Sequence, residues 1–184
     1  MKNCFAVLFC FFCLKLSAQQ KPSDLDKSPL DVSYSPFNYP ILKMNGKTLE
    51  SPVARVIYSR PQKSGRTIFG GIVNYDQLWR LGANEATEIE FFRNVRINGK
   101  SIAKGRYTMY ALCHEKSWTI IFNGEKDVWG LYYNARKDVL RTDVPIELTD
   151  TTTENFTMYF EDEKNGTNLL ILWDTVKVSL PISF

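Results

Sequence analysis

Six residues between positions 60 and 85 have the types and spacing to do chemistry together: Arg60, Arg66, Trp79, Arg80, Asn84 and Glu85. Arginine presents a planar fork of donors that fits carboxylates and other oxyanions. Set beside an indole face and an amide, such forks would make a ligand-binding site for an oxyanion or a sugar. Glu85 is the acid of the set, and in a hydrolase of glycans or esters it would be the proton donor or acceptor. The same residues also have a purely structural reading. A buried ion-pair network would lock a loop into the fold, with Trp79 as a plug in the core.

Other chemistries find less support. Cys113 and His114 are neighbours, and neighbours on a strand point to opposite faces, so they form no dyad; the thiol is expected in the core and the imidazole at the surface. Glu88 and Glu90 share a strand face about 6.6–6.8 Å apart, at the low edge of the carboxylate separation of inverting glycosidases. A solvated strand face accounts for them more simply. Glu161-Asp162-Glu163 reads as a polar turn, since calcium asks for six or more oxygens. No nucleophile elbow, phosphate loop or dinucleotide fingerprint occurs. The sequence gives grounds for neither a cofactor nor a metal.

The elements that would position the six are short. From Glu85 to Phe92 the residues alternate, placing Glu85, Thr87, Ile89 and Phe91 on one face and Ala86, Glu88, Glu90 and Phe92 on the other. The Ile89–Phe91 face is the core face, so parity turns Glu85 inward, where a carboxylate needs a partner. Arg80 is the first choice, with Arg60 and Arg66 as alternatives. Upstream, Arg66–Phe69 reads as a short strand, Gly70-Gly71 as a turn or bulge, and Tyr75–Leu78 as a helical turn opening at Asn74. Leu81-Gly82-Ala83-Asn84 reads as a tight entry to the strand, with Gly82 and Asn84 at positions that tolerate unusual backbone angles.

Asn-Gly pairs at 45, 98, 123 and 165 sit beside β-branched and aromatic runs. This is the pattern of many short strands joined by tight turns. It predicts an all-β domain over residues 41–184: a single antiparallel β-sandwich, jelly-roll-like or related, with at most short helical turns. Residues 19–40, punctuated by Pro22, Pro29, Pro36 and Pro40, are expected to form an extended arm without regular structure, pinned in part by Tyr34, Phe37 and Tyr39.

Residues 1–18 read as a secretory signal peptide: Lys2, an apolar run from Phe5 to Leu14, then Ser17-Ala18. The run is too short to span a membrane. The expectation is therefore an exported chain, periplasmic or secreted. Removal of the signal leaves Cys113 as the sole cysteine, which forbids an internal disulfide. It also leaves 21 basic against 20 acidic residues, a formal charge of +1. Such a balance offers no electrostatic footprint for nucleic acid or an anionic membrane. The partner is expected to be a small molecule, a glycan or a protein.

Five stretches carry a family resemblance: Arg55 to Pro61, Gly65 to Gly70, Trp79-Arg-Leu-Gly-Ala-Asn-Glu-Ala-Thr87, Lys104 to Tyr107, and Trp118 to Asn123. Together with the closing Trp173 to Phe184, the chain resembles the bacterial secreted family catalogued as domain of unknown function 2911, over roughly Ser28 to Phe184. The resemblance implies an all-β domain and an exported chain, and it carries no catalytic residue across. The first functional reading is a non-enzymatic module that binds a ligand or partner. The alternatives are a hydrolase using Glu85 and a structural component of the cell envelope.

Overall fold

Alternating apolar and polar side chains carry most of the chain into strand. The computed structural model describes residues 23–184; the expected signal peptide lies outside them. The elements are β1 (Leu30–Ser35), α1 (Tyr39–Met44), β2 (Ala54–Ser59), β3 (Leu78–Trp79), β4 (Thr87–Phe91), β5 (Val95–Ile97), β6 (Lys100–Ile102), β7 (Gly105–Cys113), β8 (Ser117–Asn123), β9 (Asp138–Glu163) and β10 (Gly166–Ser183), with a 3-10 turn at Ala135–Lys137. The strands form one open antiparallel sheet in the order β1-β2-β4-β7-β8-β9-β10-β5-β6, with β3 paired to β7. The all-β expectation holds, and the helical content is confined to short turns.

Where a sandwich was expected, the strands form one continuous sheet. β9 is long enough to serve twice: its first part pairs with β8, from Asp138 to Pro145, and the rest with β10, from Ile146 to Glu163. Register shifts around Asp174 mark the bend. The sheet thereby folds over a single core, in which Val56, Ile89, Met109 and Phe122 meet Phe156, Met158, Ile171 and Trp173. The free edge of β1 comes to lie along the second half of β9. There the Phe160 amide donates to Ser33 Oγ (3.3 Å), and Asp162 accepts from Ser35 Oγ (3.2 Å) and from the Phe37 amide (3.1 Å).

Several local expectations are corrected. Part of the 19–40 arm is regular structure, because β1 pairs with β2 at six positions. Its polar composition reflects an edge strand, whose open side favours polar residues. Asn45-Gly46 closes α1 instead of a hairpin: the Asn45 amide donates to the Ile41 carbonyl (3.0 Å) and the Gly46 amide to that of Lys43 (3.1 Å). Arg66–Phe69 is irregular rather than a strand, with an isolated bridge from Phe69 to Val73, and follows Ser64 and Gly65, both of positive φ. Tyr75–Leu78 is a turn running into β3 rather than a helical turn, and the Asn74 side chain caps nothing; it donates to Gln77 Oε1 (3.2 Å).

Candidate functional site

The structure separates the six predicted residues into three places. Arg60 closes the sheet: Nη1 donates to Asp31 Oδ2 (2.9 Å), Nε to the Phe156 carbonyl (3.2 Å) and Nη2 to Thr157 Oγ1 (3.0 Å). It thus ties β1 to β9 across the fold. Arg66 is exposed and folds back on its own turn, donating to the carbonyls of Lys63 (2.9 Å) and Gln62. Neither reaches the others. Trp79, Arg80, Asn84 and Glu85 stay together because one tight turn holds them.

That turn is strained and well anchored. Leu81 and Asn84 have φ of 55° and 57°, and Gly82 has 150°. Asn tolerates the left-handed region; Leu adopts it rarely. Leu81 is held there by complete burial and by Thr87 Oγ1, which donates to its carbonyl (2.5 Å). A side chain on Gly82 would come within 3.1 Å of the Ser59 carbonyl oxygen. Backbone strain of this kind persists only where the surroundings enforce it, and such sites are often functional.

Trp79 is committed to the core. It is 8 % exposed, its ring stacks on Trp173 at 5.8 Å, and it meets Trp118 and Phe156 edge-on at 5.7 and 5.1 Å. Its Nε1 donates to the Gly82 carbonyl (3.3 Å) and so fixes the turn. The plug reading of Trp79 therefore describes its packing, and its face is not free to act as a platform.

Arg80 and Glu85 do not pair. Arg80 is half-buried and, among the described residues, makes no ion pair. Its buried Nε has no acceptor, and burial pulls its pKa below the ordinary arginine value. Glu85 is exposed and likewise without a cation, contrary to the inward position that parity assigns. The reason is local: β4 begins at Thr87, and the left-handed turn at Asn84 breaks the pleat before it. Glu85 instead makes an isolated antiparallel bridge to Trp129.

This bridge belongs to a seam. The Gly130 amide donates to the Asn84 carbonyl (3.1 Å), so the Arg80–Glu85 turn and the Val128–Leu131 segment are zipped together. A hollow opens on each side. One, of about 330 Å³, is lined by Arg80 with Asn74, Gln77, Ile72, Leu78 and Leu131. The other, of about 440 Å³, lies over β2 and β4 and contains Glu85, Glu88 and Trp129. The sequence reading missed the Val128–Tyr133 segment. Its signal was three aromatics around a glycine in a loop, where function commonly resides.

The remaining candidates resolve simply. Glu88 and Glu90 are half-buried rather than solvated, paired with Arg106 (3.4 Å) and Arg55 (2.5 Å). Cys113 is fully buried, and burial pushes its thiol pKa up. His114 is half-exposed between Asp76, bonded to Nδ1, and Thr119 Oγ1, 3.4 Å from Nε2. Asp162 spends both oxygens on β1 and its exit. Among the described residues no group of three His, Cys, Asp or Glu side chains is placed to hold a metal ion, and no helix is long and apolar enough to cross a membrane.

A family model described as "Protein of unknown function (DUF2911)" matches residues 42–182. No curated protein and no solved structure matches the chain.

Proposed function

The chain belongs to the family of proteins of unknown function DUF2911, and from that premise we propose that it is an exported, non-enzymatic binding module whose site takes a small anionic ligand on Arg80. The observation that carries this reading is the unpaired, half-buried guanidinium at the wall of a hollow. A buried charge without a partner is costly, and a carboxylate delivered by a ligand would offset that cost through a bidentate pair. The hollow is of small-molecule size. Its amide groups, from Asn74 and Gln77, suit a hydroxyl-bearing acid such as an acidic sugar, and Ile72, Leu78 and Leu131 suit its apolar edges. Export rests on the reading of residues 1–18 alone.

A hydrolase built on Glu85 is less well supported. A catalytic carboxyl needs a held geometry and a second group to work with. Glu85 stands in solvent, and its neighbour Glu88 is engaged by Arg106.

The test is a screen of the purified domain against small organic acids, acidic sugars and neutral glycans, with calorimetry for binding and product analysis for turnover. Saturable binding of an acid that disappears in a folded Arg80→Met variant is the expected result. Turnover lost in Glu85→Gln would replace this reading with the hydrolase. Neither binding nor turnover would leave a structural role in the envelope. The export component is checked by mass spectrometry of the chain from its native host, which should begin near Gln19; an intact Met1 would refute it.

A further inference from the structure

The second hollow is independent of the Arg80 site, and its chemistry is of the opposite sign. It lies on the outer face of the sheet, away from the core, where Ile57 of β2 stands directly opposite Glu88 of β4. Its walls are mainly apolar: Leu30, Ile57, Ala86, Val128 and the indole of Trp129. The acids of this face are almost all spoken for. Glu90 pairs with Arg55 (2.5 Å), and Glu88 and Asp127 share Arg106 (3.4 and 2.6 Å). Glu88 Oε1 also accepts from the Asp127 amide (3.3 Å). Glu85 is the exception, a carboxylate lining the hollow that makes no ion pair among the described residues.

Trp129 is the exception among the tryptophans. Trp79, Trp118 and Trp173 are in the core, whereas Trp129 is 56 % exposed. Its exposure is not that of a loose loop tip. The bridge to Glu85 fixes its backbone, the Gly130 amide is held by Asn84, and the Tyr132 amide donates to the Trp129 carbonyl (2.7 Å). An indole carried on a fixed backbone at an apolar hollow, opposite a carboxylate that makes no ion pair, presents the two features that recognise an organic cation. The ring face attracts the positive charge and the carboxylate completes an ion pair.

We propose that this hollow is a binding site for a small organic ammonium ligand, with the charged nitrogen between Glu85 and the Trp129 ring and an apolar body against Leu30, Ile57 and Val128. The volume of about 440 Å³ accommodates a molecule of that class.

The probes are phenethylammonium and choline, with 2-phenylethanol as the uncharged counterpart of the first. Titration of the full chain is followed by calorimetry and by tryptophan fluorescence. Trp129 is the tryptophan a ligand can reach, so the expected result is saturable binding with a fluorescence change that Trp129→Phe abolishes. Glu85→Gln keeps the shape of an exposed side chain and should weaken phenethylammonium about tenfold, without altering the thermal unfolding midpoint. Arg80→Met should leave ammonium binding unchanged, which separates this site from the anion site. The proposal is overturned by any of three outcomes: no saturable response to either ammonium at millimolar concentration, equal affinity for 2-phenylethanol, or unchanged affinity in Glu85→Gln.

Discussion

Gly130 lies directly against Arg80: a methyl group built on it would sit 2.2 Å from Arg80 Cδ and 2.5 Å from the Asn84 carbonyl oxygen. Space, and not backbone angle, demands glycine there. The Gly130→Ala variant must therefore lift the Val128–Leu131 segment or displace Arg80. A stability loss of about 1–3 kcal/mol is expected, the usual range for overpacking, measured by urea unfolding. A loss of acid binding should accompany it. An unchanged midpoint with unchanged binding would mean that the seam gives way freely and positions nothing.

Arg80 itself should matter more to binding than to folding. Its charge is half-buried without a partner, so replacing it by the apolar, similarly long Met removes an unfavourable group. The Arg80→Met variant is expected to unfold within about 1 kcal/mol of the parent, or later. A loss of several kcal/mol in denaturant would instead make Arg80 a structural brace and would count against the anion site.

The two glutamates of this region should behave in the reverse of the order that strand parity predicts. Glu88 is ion-paired with Arg106 and accepts the Asp127 amide. Its replacement by Ala should cost about 1 kcal/mol, the upper end for a screened pair. Glu85, exposed and unpaired, should cost less than about 0.5 kcal/mol. Side-by-side chemical denaturation decides the order, and a Glu88/Arg106 double-mutant cycle isolates the pair.

Alkaline pH should expose two tyrosines. Burial pushes the pKa of both Tyr58 and Tyr110 up to about 12. The Tyr58 hydroxyl donates to Asp31 Oδ2 (3.3 Å), and that of Tyr110 donates to the Tyr132 carbonyl (2.6 Å). A folded-state pKa raised above the unfolded value of about 10 favours the fold while the phenol keeps its proton. That contribution is complete below pH 10 and is lost as pH rises through 12. The unfolding midpoint should accordingly fall across this window, and less so in Tyr58→Phe. Phenolate absorbance should show a late-titrating fraction; simple titration of every tyrosine near 10 would contradict the burial.

Much of the fold was legible because its signals are local. Asn98-Gly99 makes the β5–β6 turn with both residues at positive φ, and Asn165-Gly166 joins β9 to β10. Alternation found the core positions Ile89, Phe91, Met109, Ala111 and Cys113. The same signals misled where tertiary context intervened: Asn45-Gly46 ends a helix, and Asn123-Gly124 ends β8 without a hairpin. The site was legible only as a cluster of residue types. Parity failed at Glu85 because it holds only along an unbroken strand. The partners of Arg60, Glu88 and Trp129 come from elements 29, 18 and 44 residues away, a separation that composition and spacing do not encode.

The hydrogen bonds that Asp162 accepts from Ser35 and Phe37 span 127 and 125 residues, and that has a consequence for synthesis. Strand β1 and its partner β2 are translated long before the part of β9 that covers the other side of β1. Until then the nascent chain carries an open strand edge, the kind of surface that recruits a second copy. Chains truncated shortly before Asp162 should therefore be far more prone to aggregate than chains that end beyond it, whatever the state of either hollow.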